Sequence, residues 1–363
     1  MKKIIPVLIL IILISSCRKP SGDSDWERTY GTGEAYFVKA TSDSGIITVG
    51  ETGGNPYLIR LDKNRVKEID FSSSEKGLFS SVWSDKTCYI TAGSSLGKML
   101  LMRLDRKGEL VWNTTISAGF NIDYTSLLYT GNGSLLAIGT ASPDSIASGT
   151  TSLMFVRFST TANVTARAEI PNSGFISANK AVVDNAGNIY LAVTRLSAGS
   201  KPKASVAKFN DQFQKIWETE LYNNPDFGGA GLGIELDGSG NVYVSGKTEL
   251  IQKEGVFNNS FLVSLTNAGT IRWKRYLESS NAGSSLIFND KDLLVMLNLN
   301  CFILNVINPV DGSDAGKIRV FDACDSKDSD ALGMDIDQNF DGDIILAGSK
   351  DGNFYMALKP SVY

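Results

Sequence analysis

Apolar and polar positions alternate in short runs along the whole chain, and the runs recur in a fixed order. One type is a turn leading into an alternating strand that often ends in glycine: Gly45–Gly50, Lys86–Gly93, Gly133–Gly139, Gly187–Val193, Gly240–Gly246, Lys291–Leu297 and Gly342–Gly348. The ends of these runs lie 43 to 54 residues apart. A second type follows each of them: Tyr57–Asp62, Leu100–Asp105, Leu153–Ser159, Ser205–Asn210, Phe261–Thr266, Phe302–Asn308 and Phe354–Lys359. Period-two alternation marks half-buried strands, and the Asp/Asn/Gly clusters between them supply hairpin turns. Upstream strands such as Ala181–Asp184 and Gly233–Asp237, and in most units downstream ones such as Leu110–Asn113 and Ile271–Leu277, bring the unit to four.

Four antiparallel strands per unit of about 50 residues form the blade of a β-propeller. The pattern therefore predicts an all-β fold: a seven-bladed β-propeller of four-stranded antiparallel sheets over residues 26–363. The seventh unit stops after three strands, and Trp26–Tyr30 reads like the outer strands at Trp217–Leu221 and Trp273–Leu277. The N-terminal strand is thus expected to join the last blade and close the ring, which leaves no open sheet edge.

Ahead of this region, Lys2 and Lys3 precede an apolar run from Ile4 to Ile14, then Ser15, Ser16 and Cys17. The run is shorter than the ~20 residues a membrane span needs, and charge, apolar run and small residues in that order make a secretory signal over residues 1–16. Ile14-Ser15-Ser16-Cys17 resembles the bacterial lipobox. The resemblance implies lipidation of Cys17, with residues 17–25 as lipidated cysteine and polar tether, and a place in the bacterial cell envelope at the outer membrane. The phrases Leu104–Trp112 and Thr266–Trp273 resemble the repeat of quinoprotein-like propellers. That group includes scaffold lipoproteins of the BamB-like kind and enzymes that bind pyrroloquinoline quinone. The vicinal cysteine pair of the alcohol-oxidising members is missing, and the chain has seven units where those groups have eight blades.

Composition narrows the chemistry. The chain has no histidine, hence neither the commonest general base nor the commonest transition-metal ligand. Its net charge of −4 gives no basic surface for nucleic acid. The expected function is a monomeric, non-catalytic binding or scaffold propeller, held at the membrane by its lipid, with a protein or glycan partner. A glycan-active or quinone-dependent enzyme is the alternative, and no cofactor is expected.

With strands named A to D from the centre outward, long connections fall at Thr140–Ser152, Thr194–Ala204, Lys247–Ser260 and Tyr222–Gly231, all on the B–C/D–A face. Loops on a rigid scaffold carry function, so Arg195, Tyr222, Asp226, Phe227, Lys253 and Phe257 are the candidate partner-binding residues. Asp337, Asn339, Asp341 and Asp343 match the first half of a calcium loop, making calcium the candidate cation. The late carboxylate of that loop is absent, and the segment doubles as an A–B turn, where Asp, Asn and Gly belong for turn reasons alone. Cys301 and Cys324 fall on one face of neighbouring units and are the candidate disulfide pair, and Cys88 is expected to be a buried small hydrophobe.

Overall fold

The computed structural model describes residues 25–117, 121–142, 151–171, 173–196, 201–221, 228–252, 255–277, 283–289, 291–297, 303–319 and 331–360. These residues are all β. The first unit comprises β1 (Trp26–Ala40), β2 (Ile46–Thr52), β3 (Asn55–Leu61) and β4 (Lys67–Ser72). The second comprises β5 (Leu78–Ser84), β6 (Cys88–Ser95), β7 (Lys98–Asp105) and β8 (Leu110–Ile116), and the third β9 (Asn121–Gly131), β10 (Ser134–Ser142), β11 (Ser152–Ser159) and β12 (Val164–Ile170). The fourth holds β13 (Phe175–Val183), β14 (Ile189–Arg195), β15 (Lys203–Phe209) and β16 (Lys215–Glu220), and the fifth β17 (Gly229–Leu236), β18 (Val242–Gln252), β19 (Gly255–Leu265) and β20 (Ile271–Leu277). The sixth holds β21 (Gly283–Asn289), β22 (Asp292–Leu297), β23 (Ile303–Ile307) and β24 (Asp314–Arg319), and the last three strands are β25 (Ala331–Gln338), β26 (Ile344–Lys350) and β27 (Asn353–Lys359).

Units two to six are separate four-stranded antiparallel sheets, each ordered as in the chain. The remaining strands form one seven-stranded sheet, because β1 serves two neighbours. Its first part pairs with β27 (Trp26 opposite Leu358, Thr29 opposite Tyr355), and its second with β2 (Val38 opposite Thr48). Side chains reinforce the first pairing: Tyr355 donates to Glu27 at 2.7 Å, and Lys359 bonds Asp25 at 2.6 Å. The first strands of successive units touch one another, β1 with β5, then β9, β13, β17, β21 and β25, and β25 touches β1.

The core is a series of apolar clusters between neighbouring units rather than one central mass. Leu294 and Leu304 of the sixth unit pack with Leu346 and Tyr355, for example, and Cys88, buried as expected, packs with Leu135 and Val156 of the third. Glycine at the end of the second strand has a packing cause. Six of the seven units carry a bulge in the first strand at one position, as between Ala35 and Phe37 or Gly333 and Asp335, which pushes a carbonyl across the sheet. A Cβ on Gly50, Gly93, Gly246 or Gly348 would stand 1.9–2.0 Å from the carbonyl oxygen of Glu34, Leu78, Ala230 or Leu332.

Outer-strand tryptophans lock the second, fourth and fifth units to the next. Trp112, Trp217 and Trp273 donate their indole N–H to the carbonyls of Thr160, Asn267 and Pro309, 3.1–3.2 Å away in the following unit's third turn. Gly269 and Gly312 in two of those turns lie flat on the Trp217 and Trp273 rings, where a Cβ would come within 2.7–2.8 Å. Ala166 holds the tryptophan register in the third unit, and there the following turn sends Phe213 into the gap. Phe213 is 7% exposed and stacks on Phe155 at 4.9 Å.

One expected loop is strand instead. Lys247–Ser260 continues the β18/β19 ladder, with Ile251 opposite Val256 and Gln252 opposite Gly255. Leu250, Ile251, Val256 and Phe257 give that stretch the apolar and aromatic content that favours strand over loop.

Candidate functional site

The first strands meet around a cavity of about 870 Å³, within the range of small-molecule sites. Counting from the bulge, two tiers of residues project along it. The first tier is Phe37, Ser81, Ser126, Lys180, Gly233, Ser285 and Asp335, each opposite the residue before the second-strand glycine position. Two residues on, the second tier is Lys39, Trp83, Leu128, Val182, Glu235, Ile287 and Asp337. The residues between the tiers, such as Val38, Val82 and Ile336, are buried in the inter-unit core, so the tier side chains are left to line the cavity.

The two tiers divide into a charged wall and an apolar one. Lys180 reaches across from the fourth unit to Asp335 at 2.6 Å and Ser285 at 2.8 Å, and Ser285 donates to the same carboxylate at 2.6 Å. The other oxygen of Asp335 accepts the Val38 N–H at 3.2 Å. Asp337 accepts the Ala40 N–H at 2.8 Å and pairs with Lys39 at 3.1 Å. Burial alone would lower the Lys39 ammonium, but Asp337 beside it holds it above the ordinary lysine value. Glu235 differs: among the described residues its carboxylate accepts only the N–H of Leu236, at 3.1 Å. Burial pushes its pKa up, against the partial offset of Lys180 and Lys39. On the opposite wall, Trp83 and Tyr129 stack with centroids 5.2 Å apart and planes 11° apart, beside Leu128.

The rim is built from turns. Thr41 and Arg60 hold Asp43 at 2.6 and 2.5 Å, and Arg106 lies over the Tyr89 ring at 4.6 Å. The mouth therefore opens among the A–B turns, at the other end of the strands from the long connections.

Because folding favours the neutral form of Glu235, its contribution to stability is fully present below its ordinary value of 4.5 and is lost as pH rises through the raised folded value. Glu235→Gln cannot ionise. Its stability relative to the unsubstituted protein is expected to be flat below pH 4.5 and to grow as pH rises above it. Urea midpoints measured across pH check this, and a difference that shrinks with rising pH would refute the assignment.

Two of the partner-binding residues expected from sequence, Arg195 and Phe257, lie on strands away from this cavity lining. Arg195 ends β14, where its guanidinium bonds both carboxylate oxygens of Glu218, at 2.8 and 2.9 Å. Phe257 lies in the β19 ladder opposite Leu250. Tyr222, Asp226, Phe227, Lys253, Cys17, Cys301 and Cys324 lie outside the described residues.

The four candidate calcium residues divide between two roles. Asp337 faces the cavity, whereas Asn339 organises a turn, accepting the N–H groups of Asp341 and Asp343 at 3.0 and 2.8 Å and donating to the Asp343 carboxylate at 2.9 Å. Asp184 with Asn188, and Asp237 with Asn241, make the same pattern with acid and amide exchanged. Among the described residues no three His, Cys, Asp or Glu side chains are grouped to hold a metal. Lys39, Trp83, Tyr129, Lys180, Glu235 and Asp335 were not among the candidates. Apart from Tyr129, which follows the second-tier Leu128, their signal is a charge or a large aromatic at one of the two tier steps of a first strand.

No protein-family model matches the chain, and none of the curated proteins does. Among solved structures it is similar to the WD40 domain of Pan2 from Neurospora crassa, with a TM-score of 0.62 at 9% identity over 93% of this chain and 97% of that domain. At that identity the likeness carries the fold alone, and the chain has a WD40-like β-propeller fold.

Proposed function

We propose that this chain is a seven-bladed binding propeller of the bacterial cell envelope, lipid-anchored through Cys17, that holds a glycan at the mouth of its central cavity without transforming it. Seven repeats of the tier pattern support the blade count, and the contacts of β1 with β25 and β27 support closure of the ring. The anchor rests on the lipobox-like run ending at Cys17. A scaffold role of the kind found among BamB-like lipoproteins is compatible with that address.

The observation that carries the reading is the cavity's two-sided lining, with Trp83 and Tyr129 facing a wall of carboxylates, lysines and hydroxyls. Sugars present an apolar ring face and a rim of hydroxyls, and aromatic faces beside polar groups suit both. Among the described residues, exposed large hydrophobic residues such as Leu96, Val164, Val310 and Phe340 sit on different turns and strands, which gives less support to a protein partner.

The test is binding of envelope oligosaccharides to the full chain in detergent. Trp83→Ala is expected to weaken binding about tenfold, the loss of a stacking contact worth about 1 kcal/mol or more. Binding that Trp83→Ala leaves unchanged, or no binding of any envelope glycan, would overturn the reading. Acyl labelling that survives Cys17→Ser would remove the anchor.

A further inference from the structure

The charges in the two tiers do not balance. Three carboxylates, Glu235, Asp335 and Asp337, face two ammonium groups, Lys39 and Lys180, and both lysines are committed, at 3.1 Å to Asp337 and 2.6 Å to Asp335. Glu235 is the carboxylate left over. The neighbouring second-tier positions are Val182 and Ile287, and the nearest cations, Lys180 and Lys39, offset its burial only in part, each being paired with another carboxylate. A carboxylate withdrawn from water without an ion pair of its own is costly, and the cost is relieved by a proton or by a cation brought from outside.

From this imbalance, and resting on the glycan-binding reading above, we infer that the cavity's ligand is an amino sugar whose free ammonium group pairs with Glu235. The ring's apolar face then lies toward Trp83 and Tyr129, and its hydroxyls meet Ser81 and Ser126 in the first tier. The bound amine is the third cation for the third carboxylate, which leaves the charged wall neutral. A metal ion is a poorer third cation, because Asp335 and Asp337 are already bonded to lysines and backbone N–H groups. A simple alkylamine would satisfy Glu235 but leave the aromatic wall and the serine hydroxyls without partners.

Calorimetric titration of the full chain in detergent with four probes tests this: a β-1,4-linked glucosamine trimer, its fully N-acetylated form, cellotriose and trilysine. The glucosamine trimer is expected to bind about tenfold or more tighter than either neutral sugar, as a charge-assisted contact adds. Glu235→Gln is expected to abolish that preference while retaining weak binding of all three sugars, whereas Trp83→Ala weakens all three. Denaturation of Glu235→Gln at neutral pH, where it is expected to be at least as stable as the unsubstituted protein, shows that the variant is folded. The inference fails if the acetylated trimer binds as well as the amine, if Glu235→Gln keeps the preference, or if trilysine binds as tightly as the glucosamine trimer. Neutral sugars bound through Trp83 with no preference for the amine would sink this inference and leave the glycan-binding reading standing, whereas no sugar binding sinks both.

Discussion

Asp335→Ala is expected to destabilise the protein by about 3–5 kcal/mol, the usual cost of removing one member of a buried ion pair. Asp335 is 3% exposed, and the substitution strips partners from three groups at once: the Lys180 ammonium, the Ser285 hydroxyl and the Val38 N–H. Those groups come from three different units, so the loss falls on the way neighbouring units are held together around the cavity as well as on one contact. Lys180 retains 21% side-chain exposure, and water reaching it should keep the effect near the lower end of the range. Asp335→Asn keeps one acceptor oxygen for Lys180 and Ser285 but loses the charge and sets an NH2 against the Val38 N–H, so its cost should be smaller than that of alanine without vanishing. Removing the stranded ammonium as well, in Asp335→Ala with Lys180→Met, should recover at least half of the single-site loss. Urea denaturation with an unchanged slope reads all three. A single-site loss below about 1 kcal/mol would show that the pair is better solvated than its burial indicates.

How far the sequence carries a reader depends on how local each cause is. The Asp184/Asn188 and Asp237/Asn241 turns are made by residues four apart, and their pattern is visible in the bare chain. The terminal glycines of the second strands are also visible as a repeat. Their cause is not, because the carbonyl that excludes a Cβ at Gly348 belongs to Leu332 across the sheet. The cavity is less legible still. Lys180 and Asp335 are 155 residues apart, and nothing near either one announces the other. Loop length is no better a guide: Lys247–Ser260 continues a strand pair, and Arg195 is held by Glu218 within its own sheet. What the sequence does show is that charges are rare in the last few residues of the first strands, so that each one there marks a residue facing something other than core. Read that way, Lys39, Lys180, Glu235, Asp335 and Asp337 form a single class before any coordinates are known.

The joint between the third and fourth units offers the most exacting test of how these units are fitted together. At the fourth–fifth and fifth–sixth joints a tryptophan lies on a glycine, Trp217 on Gly269 and Trp273 on Gly312. At the third–fourth joint the bulk is on the other partner, with Ala166 in the strand and Phe213 in the turn. Phe213→Ala should cost about 3–5 kcal/mol through the lost ring and the cavity beside Phe155. Phe213→Gly should cost somewhat less, because Phe213 has φ +64°, and glycine adopts that left-handed geometry without the roughly 1–2 kcal/mol penalty of a side chain. Ala166→Trp alone should drive an indole against the Phe213 ring and destabilise by about 1–3 kcal/mol through overpacking. Together, Ala166→Trp and Phe213→Gly rebuild the arrangement of the neighbouring joints. The new indole would stand beside the Asp211 carbonyl, which holds the turn position that Thr160, Asn267 and Pro309 hold for the native tryptophans and now accepts Arg157 at 2.9 Å. The double variant should therefore fall within about 1 kcal/mol of the unsubstituted protein, a favourable coupling of about 2 kcal/mol or more in the mutant cycle. If the two losses simply add, the tryptophan and the turn residue are independent, and the joints are not interchangeable forms of one packing solution.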